Sequence, residues 1–389
     1  MRILYIAHTS GAGGSSAALL NILNGMSKKE DVAFAVVCPE AKGYLVDELR
    51  NRSIKVYIPK YRYAGYHVYP KVKNPLRWCK AMVGHLWRMN VGKRYIRNAI
   101  LDFHPDVVHT NSSACVVGWM VCQKMGIKHV WHVREFIDVG FGWTVIPSNQ
   151  SQRRRMHCVG NYNIAITRAV YNHFNLRSID TQIYDGVIDT ERKVGTKASF
   201  GYPYFLFVGN ITRTKGVDTL IKQFLNFHHS DNKCHLVIVG PYEGGNKAFY
   251  EEVNSMVEHD SASDYVHWLG PRTDVYELMQ GAIAIVVPGH NEGFGFITAE
   301  AMYNRCLVIG RNTAGTKEQF ELGKQETGHE IGLRFSIDAE IPMLMHSAAV
   351  GNFTGLKERA REVVLRNYTI NVNSDKIHDY YEQILYGSK

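Results

Sequence analysis

The chain has 389 residues, 45% hydrophobic and 21% charged, which suits a soluble two-domain globular protein and excludes a fibrous or disordered one. No run of about 18 apolar residues occurs, so no membrane-spanning helix is expected. The net charge of +9 is uneven: residues 1–180 hold 25 Lys and Arg against 10 Asp and Glu, and the rest hold 20 against 26.

The opening MRILYIAHTSG is too short an apolar segment for a signal peptide and reads as a first strand. The seven cysteines show no C-x-x-C pairing. That argues against a disulfide framework or a zinc site, and for a reducing, cytoplasmic compartment.

Short Val- and Ile-rich runs alternate with longer segments of helical spacing. The runs are RILYIA, VAFAVVC, DVVHT, KHVWHV and NIAIT, then YFLFVG, HLVIVG, VHWLG, AIAIVVP, CLVIG and IGLRF. Continuous apolar runs of this kind suit parallel strands covered on both faces, and the alternation predicts an α/β fold. Two series appear, separated near residues 180–203 by IYDGVIDTERKVGTKASFGYPY. The boundaries expected from this are domains at 1–182 and 183–366, with a C-terminal helix at 367–389 returning to the first domain. In doubly wound sheets ligands sit beyond the carboxyl ends of strands, so the candidate chemistry is sought there.

After the first strand, HTSGAGGSSAALL carries Gly11, Gly13 and Gly14 into a helix. Backbone N–H groups in such a turn can approach a phosphate. A plain strand-to-helix turn fits equally, and Ser16 stands where G-x-G-x-x-G has its third glycine. Between Glu48 and Asp102 no acid occurs. There Arg50, Arg52, Lys55, Lys60, Arg62, Lys71, Lys73, Arg77, Lys80, Arg88, Lys93, Arg94 and Arg97 interleave with Tyr57, Tyr61, Tyr63, Tyr66, Tyr69, Trp78, Trp87 and Tyr95. That pattern suits contact with anionic lipid headgroups or a solvated helix face. No RNA or DNA motif accompanies it, so nucleic acid is not an expected partner.

VWHVREF places His132, Arg134 and Glu135 at a strand end. FLFVGNITRTKGVDTLI places Arg213 and Lys215 before a helix, where cations oppose the helix dipole unless an anion binds between them. VIVGPYEGG and VHWLGPRTDVYELM, the latter with Arg272, end strands in loops able to hold a nucleobase. HNEGFGFITAEAM follows a buried strand and holds Glu292 and Glu300 eight positions apart around a glycine-rich turn. CLVIG is followed by RNTAGTKEQF, with Gly315 and Glu318 at the strand end.

The Glu292/Glu300 pair inside P-x-x-x-E-G-F-G, the V-G-x-x-x-x-x-K-G of Val208 to Gly216, and the leading Gly13-Gly14 resemble retaining glycosyltransferases of family 4. HVREF resembles a form found in polysaccharide-assembling members. The resemblance implies a GT-B fold, an α/β architecture of two Rossmann-like doubly wound parallel-sheet domains facing a cleft. The first domain would bind the acceptor and the second the nucleotide sugar.

It implies roles for residues. Glu292 would hold the donor sugar, and His132 would contact it. Glu300 would bind the ribose, and Lys215 would neutralise the leaving diphosphate. The backbone of Gly293, Phe294, Gly295 and Phe296 would bind sugar and phosphate, with Gly13 and Gly14 bordering the phosphate or acceptor. Asn210, Arg213 and Arg272 complete the expected donor site.

The family's usual arginine after V-G is Asn210 here, with Arg213 as its candidate replacement. The usual N-G-V is Asp185-Gly186-Val187, the usual C-G is Asn304-Arg305, and G-G-x-P-E becomes Ala314 to Glu318.

No D-x-D occurs, so no metal and no cofactor is expected. The expected partners are a nucleotide-sugar donor, more specifically UDP-linked, and a glycan or lipid-linked oligosaccharide acceptor. An anionic membrane surface at the cytoplasmic face is a further expected partner. Two readings compete. An NAD-dependent oxidoreductase is suggested by G-A-G-G, and a non-catalytic sugar-nucleotide-binding protein by Asn210. An epimerase of the same fold is a third.

Overall fold

The computed structural model describes residues 1–59, 68–70, 75–137, 143–145, 148–193, 195–230, 233–290 and 292–387. The basic and aromatic residues Lys60, Tyr61, Arg62, Tyr63, Tyr66, Lys71 and Lys73 lie outside them, as do the side chains of Tyr69, Arg77, Trp78 and Lys80. Two compact units form: Met1–Gly186 with Ile370–Lys389, and Val187–Thr369.

The first unit holds β1 (Arg2–Ile6), β2 (Ala33–Val37), β3 (Val56–Tyr57), β4 (Val68–Pro70), β5 (Val107–Thr110), β6 (Lys128–Val133), β7 (Trp143–Val145), β8 (Asn161–Ala165) and β9 (Thr181–Gln182). Seven of these make a parallel sheet in the order β3-β2-β1-β5-β6-β8-β9, and β4 pairs antiparallel with β7. Ile3 to Ile6 and Val107 to Thr110 are fully buried, because helices cover both sheet faces. The helix Gly14–Met26 buries Leu19, Leu20, Ile22, Leu23 and Met26. The helix Ile370–Tyr386 packs on it so closely that a Cβ at Gly25 would lie 2.3 Å from Ser374 Oγ. The helix Pro75–Phe103 buries His85, Met89, Ile96, Ala99, Ile100 and Phe103 at helical spacing and exposes Val83, Leu86 and Trp87.

The second unit holds β10 (Tyr204–Val208), β11 (His235–Val239), β12 (Val266–Gly270), β13 (Ala284–Val287), β14 (Leu307–Arg311) and β15 (Leu333–Phe335), all parallel in the order β12-β11-β10-β13-β14-β15. Phe205, Leu236 and Val286 from the strands pack with Phe224 and Phe227 of the helix Val217–His228. The expected doubly wound α/β architecture is present in both units.

Two of the departures from the family pattern fall on left-handed backbone. Arg305 sits at φ 56° and Ala314 at φ 46°. A Cβ there crowds the following carbonyl. Ala314→Gly is therefore expected to raise the unfolding free energy by about 0.5–1 kcal/mol. Urea midpoints check this, and an unchanged or lower midpoint for the glycine variant would refute it.

Candidate active site

In the second unit the loop after β10 folds back through one tight turn, Arg213–Lys215. Gly216 follows at φ 71°, and a Cβ there would stand 2.8 Å from Pro288 O. Only glycine permits that approach. The close packing brings Lys215 to the segment after β13. Lys215 Nζ donates to both carboxylate oxygens of Glu292, at 2.7 and 2.9 Å. The lysine side chain is 38% exposed and the glutamate 16%, so the pair lies at the surface with the carboxylate more enclosed.

The turn after Glu292 is tied to the helix Ala314–Thr327. Glu292 O accepts from Gly315 N at 2.8 Å. Phe294 O and Gly295 O accept from Gln319 Nε2 at 2.6 and 3.1 Å. A Cβ at Gly315 would fall 2.3 Å from Phe294 O, so this contact also requires glycine. Phe294 is buried with its ring edge-on to Tyr368, 5.1 Å between centroids. Gly295 then opens the helix Phe296–Tyr303, which has no side-chain cap at its N-terminus. The carbonyls thus face inward, while the uncapped helix start favours a negative ligand.

Glu300 lies on that helix, half-buried. The Tyr276 hydroxyl donates to its Oε1 at 3.4 Å, and the Arg192 guanidinium sits 4.0 Å over the Tyr276 ring. Burial pushes the Glu300 carboxyl up to about 7, against the opposing pull of Arg192 and of the Tyr276 hydroxyl.

In the first unit Gly13 caps the 13-residue helix Gly14–Met26, and added Cβ atoms at Gly13 and Gly14 would meet nothing within 4 Å. Ser16 does not leave the loop slack, because its hydroxyl donates to Gly11 O at 2.7 Å.

At the end of β6, Arg134 is buried and makes three contacts. Nε donates to Asn111 Oδ1 at 2.9 Å, Nη1 to Asp185 Oδ1 at 2.5 Å, and Nη2 reaches His132 Nδ1 at 3.2 Å. A guanidinium only donates, so His132 Nδ1 accepts and the ring proton rests on Nε2. Burial, with Arg134 and His109 adding, holds the pKa of His132 well below the usual histidine range, so the ring is neutral. His109 Nε2 lies 3.2 Å from the same Nδ1, and its Nδ1 meets the Tyr381 hydroxyl at 2.5 Å. His132 is fully buried, and its Nε2 has no hydrogen-bond partner among the described residues.

Residues 189–331 match the family described as glycosyl transferases group 1. The mouse alpha-1,3/1,6-mannosyltransferase ALG2 is 24% identical over 230 residues, 56% of this chain and 52% of the relative. The N-acetyl-alpha-D-glucosaminyl L-malate synthase of Bacillus anthracis is 26% identical over 222 residues, 56% of this chain and 53% of the relative. The chain thus spans about half the length of these curated relatives. Among solved structures, Anabaena Alr3699/HepE in complex with UDP superposes with a TM-score of 0.77 at 16% identity, covering 98% of this chain and 100% of that one.

Over residues 189–331 the chain is thus similar to glycosyl transferases group 1.

Its two parallel-sheet units have the GT-B fold. Within the second unit, Lys215, Glu292 and the Gly293–Phe296 turn come together. Glu300 follows on the same helix. The Arg213 guanidinium pairs with Asp218 at 2.7 Å and Glu252 at 2.5 Å. Arg272 is paired with Asp274 at 2.6 Å, and Asn210 is exposed. Gly13, Gly14 and His132 belong to the first unit.

Sequence reading missed Arg311, whose buried guanidinium donates to Pro288 O at 2.7 Å and to Asp338 at 2.5 Å. It fixes the start of the Glu292 loop. The available signal was an arginine closing an otherwise apolar strand. Tyr276 and Arg192 were also missed: Tyr276 lies in VHWLGPRTDVYELM, where only Arg272 drew notice, and Arg192 lies in the segment between the two strand series.

The Glu300 environment sets a pH dependence. If Glu300 accepts from the ribose hydroxyls of a nucleotide, as its place in the sequence leads one to expect, the carboxylate accepts better than the carboxylic acid, so nucleotide affinity is expected to rise as pH increases through about 7. Above that it should level off. Calorimetric titration of UDP across this range checks it. Glu300→Gln should flatten the profile, and a wild-type profile already flat would contradict the assignment.

Proposed function

We propose that the chain is a metal-independent, retaining glycosyltransferase. It moves a sugar from a UDP-sugar to a glycan acceptor carried on a lipid diphosphate, in the assembly of a surface polysaccharide. The observation that carries this reading is the Lys215–Glu292 pair, 2.7 Å apart, beside an uncapped helix start that also bears Glu300. In the proposal, Lys215 and the helix N-terminus stabilise charge growing on the departing diphosphate. Glu292 faces the sugar, whose anomeric carbon gains oxocarbenium character. Glu300 accepts from the ribose hydroxyls. His132, neutral and protonated on Nε2, serves as a donor and not as a base.

The relatives, a mannosyltransferase and a glucosaminyl malate synthase, support sugar transfer. The UDP-bound neighbour supports the choice of nucleotide. Metal independence rests on the lack of any D-x-D in the sequence. The test is nucleotide release from a panel of UDP- and GDP-sugars, with and without lipid-linked acceptors. No release with any donor would refute transfer.

A second reading draws on Asn210 and on Arg213, which is held by Asp218 and Glu252. Fewer cations then face a diphosphate, as in a sugar-nucleotide-binding protein without turnover. Donor binding without nucleotide release would favour it.

We infer further that the protein works at the cytoplasmic face of a membrane. Among the described residues no helix is long and apolar enough to cross one. Val83, Leu86 and Trp87 are 69%, 52% and 60% exposed on the helix Pro75–Phe103, next to Arg88 and on the same helix as Lys93 and Arg94. Apolar and basic side chains together suit anionic headgroups, with each basic residue contributing about 1 kcal/mol. Sedimentation with phosphatidylglycerol vesicles should fall as salt rises. It should fall again by about tenfold or more when Arg88, Lys93 and Arg94 are reversed to glutamate. Equal binding by that variant would remove this part of the proposal.

A further inference from the structure

In the first unit the strand order reverses between β1 and β5. Ligands of doubly wound sheets bind beyond the carboxyl ends of the strands at such a point. Two loops leave there, one through Gly11 to Gly14 and one through Asn111 to Ala114. Asn111 ties them together, its Nδ2 donating to Ser15 O at 2.8 Å. The end of β6 brings in a carboxylate, Glu135.

Glu135 is held in an unusual way. Its Oε1 accepts from Ser112 Oγ at 2.6 Å, Ser113 Oγ at 3.1 Å and Ala114 N at 3.1 Å. Ser112 and Ser113 are buried, so these anchors are fixed. The Glu135 side chain is half-buried, yet among the described residues no cation pairs with it and no hydrogen bond reaches its Oε2. The adjacent cation, Arg134, is directed to Asn111, Asp185 and His132 instead. His8, from the loop after β1, lies within electrostatic reach of both Glu135 and Arg134. Two residues on, the β-branched and buried Ile137 sits at φ 58°, a strained conformation for such a residue.

A partly buried carboxylate without a counter-ion is costly, and three neutral donors hold one of its oxygens in place. The other oxygen remains an acceptor with its geometry preset. A negative charge there repels phosphate and attracts hydroxyl donors. We propose that Glu135 binds hydroxyl groups of a neutral sugar residue of the acceptor. The word acceptor rests on the transferase reading given above; the sugar site itself does not.

The test is saturation-transfer NMR on the full chain with methyl glycosides of mannose, glucose, galactose and N-acetylglucosamine, and with inorganic pyrophosphate in parallel. At least one glycoside should bind the wild type. Glu135→Gln, which keeps the side-chain shape, and Glu135→Ala should each weaken that binding about tenfold or more. Ser112→Ala combined with Ser113→Ala, which leaves the charge but removes its anchors, should weaken it as well. Melting temperatures confirm that each variant folds.

Undiminished glycoside binding in the Glu135 variants would overturn the proposal. So would a wild type that binds no glycoside, or pyrophosphate alone. Nucleotide release from the donor panel, measured separately, keeps the two readings apart. Glycoside binding through Glu135 without any release would leave the sugar site standing while the transferase reading falls.

Discussion

In the proposed transfer reaction, Lys215→Ala is expected to lower the rate about 10²–10³-fold with the fold intact, the magnitude typical of removing one preset group that stabilises developing charge. The lysine stands on a turn locked by Gly216 against Pro288, so its position does not depend on a mobile side chain alone. Its ammonium is a compact charge, and the flatter guanidinium of Lys215→Arg should not restore the rate. Glu292→Ala should cost a similar factor, and the double variant little more than either, because the proposal has the two residues act on one charge separation. Little stability is at stake, since ion pairs this close to the surface contribute about 0–1 kcal/mol. Initial rates of UDP release and melting temperatures distinguish the two effects. Wild-type turnover in both single variants would remove the pair from the mechanism.

The strands were legible because helices cover both sheet faces, which turns a strand into an unbroken run of Val, Ile and Leu. Each run picked out in the sequence forms a strand. The strands missed, β3, β4, β7 and β9, are two or three residues long and carry no pattern. For Gly216 and Gly315 the structure supplies the reason: each stands where any side chain would strike a carbonyl.

Pairings across the fold were not legible. Arg213 read as a diphosphate ligand because it lies two residues from Lys215. Its partner Glu252 lies 39 positions away on another helix, and spacing alone cannot show that. Asp185 read as a flaw in N-G-V. The structure gives it a reason, since Arg134, 51 positions earlier, places a buried guanidinium against it.

That pair gives the largest stability effect expected of the fold. Asp185→Ala should destabilise the first unit by about 3–5 kcal/mol, as removing one partner of a buried ion pair does. The Arg134 and Asp185 side chains are 5% and 3% exposed, so water cannot replace the lost carboxylate. Asn111 and His132 would remain as partners, but both are neutral, and a buried positive charge would stay uncompensated. Asp185→Asn should cost less, because the amide oxygen can still accept from Nη1 while the charge is lost. Arg134→Met in the Asp185→Ala background should recover much of the loss, since an apolar side chain of similar length needs no counter-ion. Urea denaturation followed by the fluorescence of Trp119 and Trp131, which stack 6.0 Å apart in this unit, reads the effect locally. If Asp185→Ala unfolds at the wild-type midpoint, the ion pair does not hold the end of β6 in place. The tautomer assigned to His132 would then lose its main support, because Arg134 fixes Nδ1 as an acceptor only while Asp185 holds the guanidinium in position.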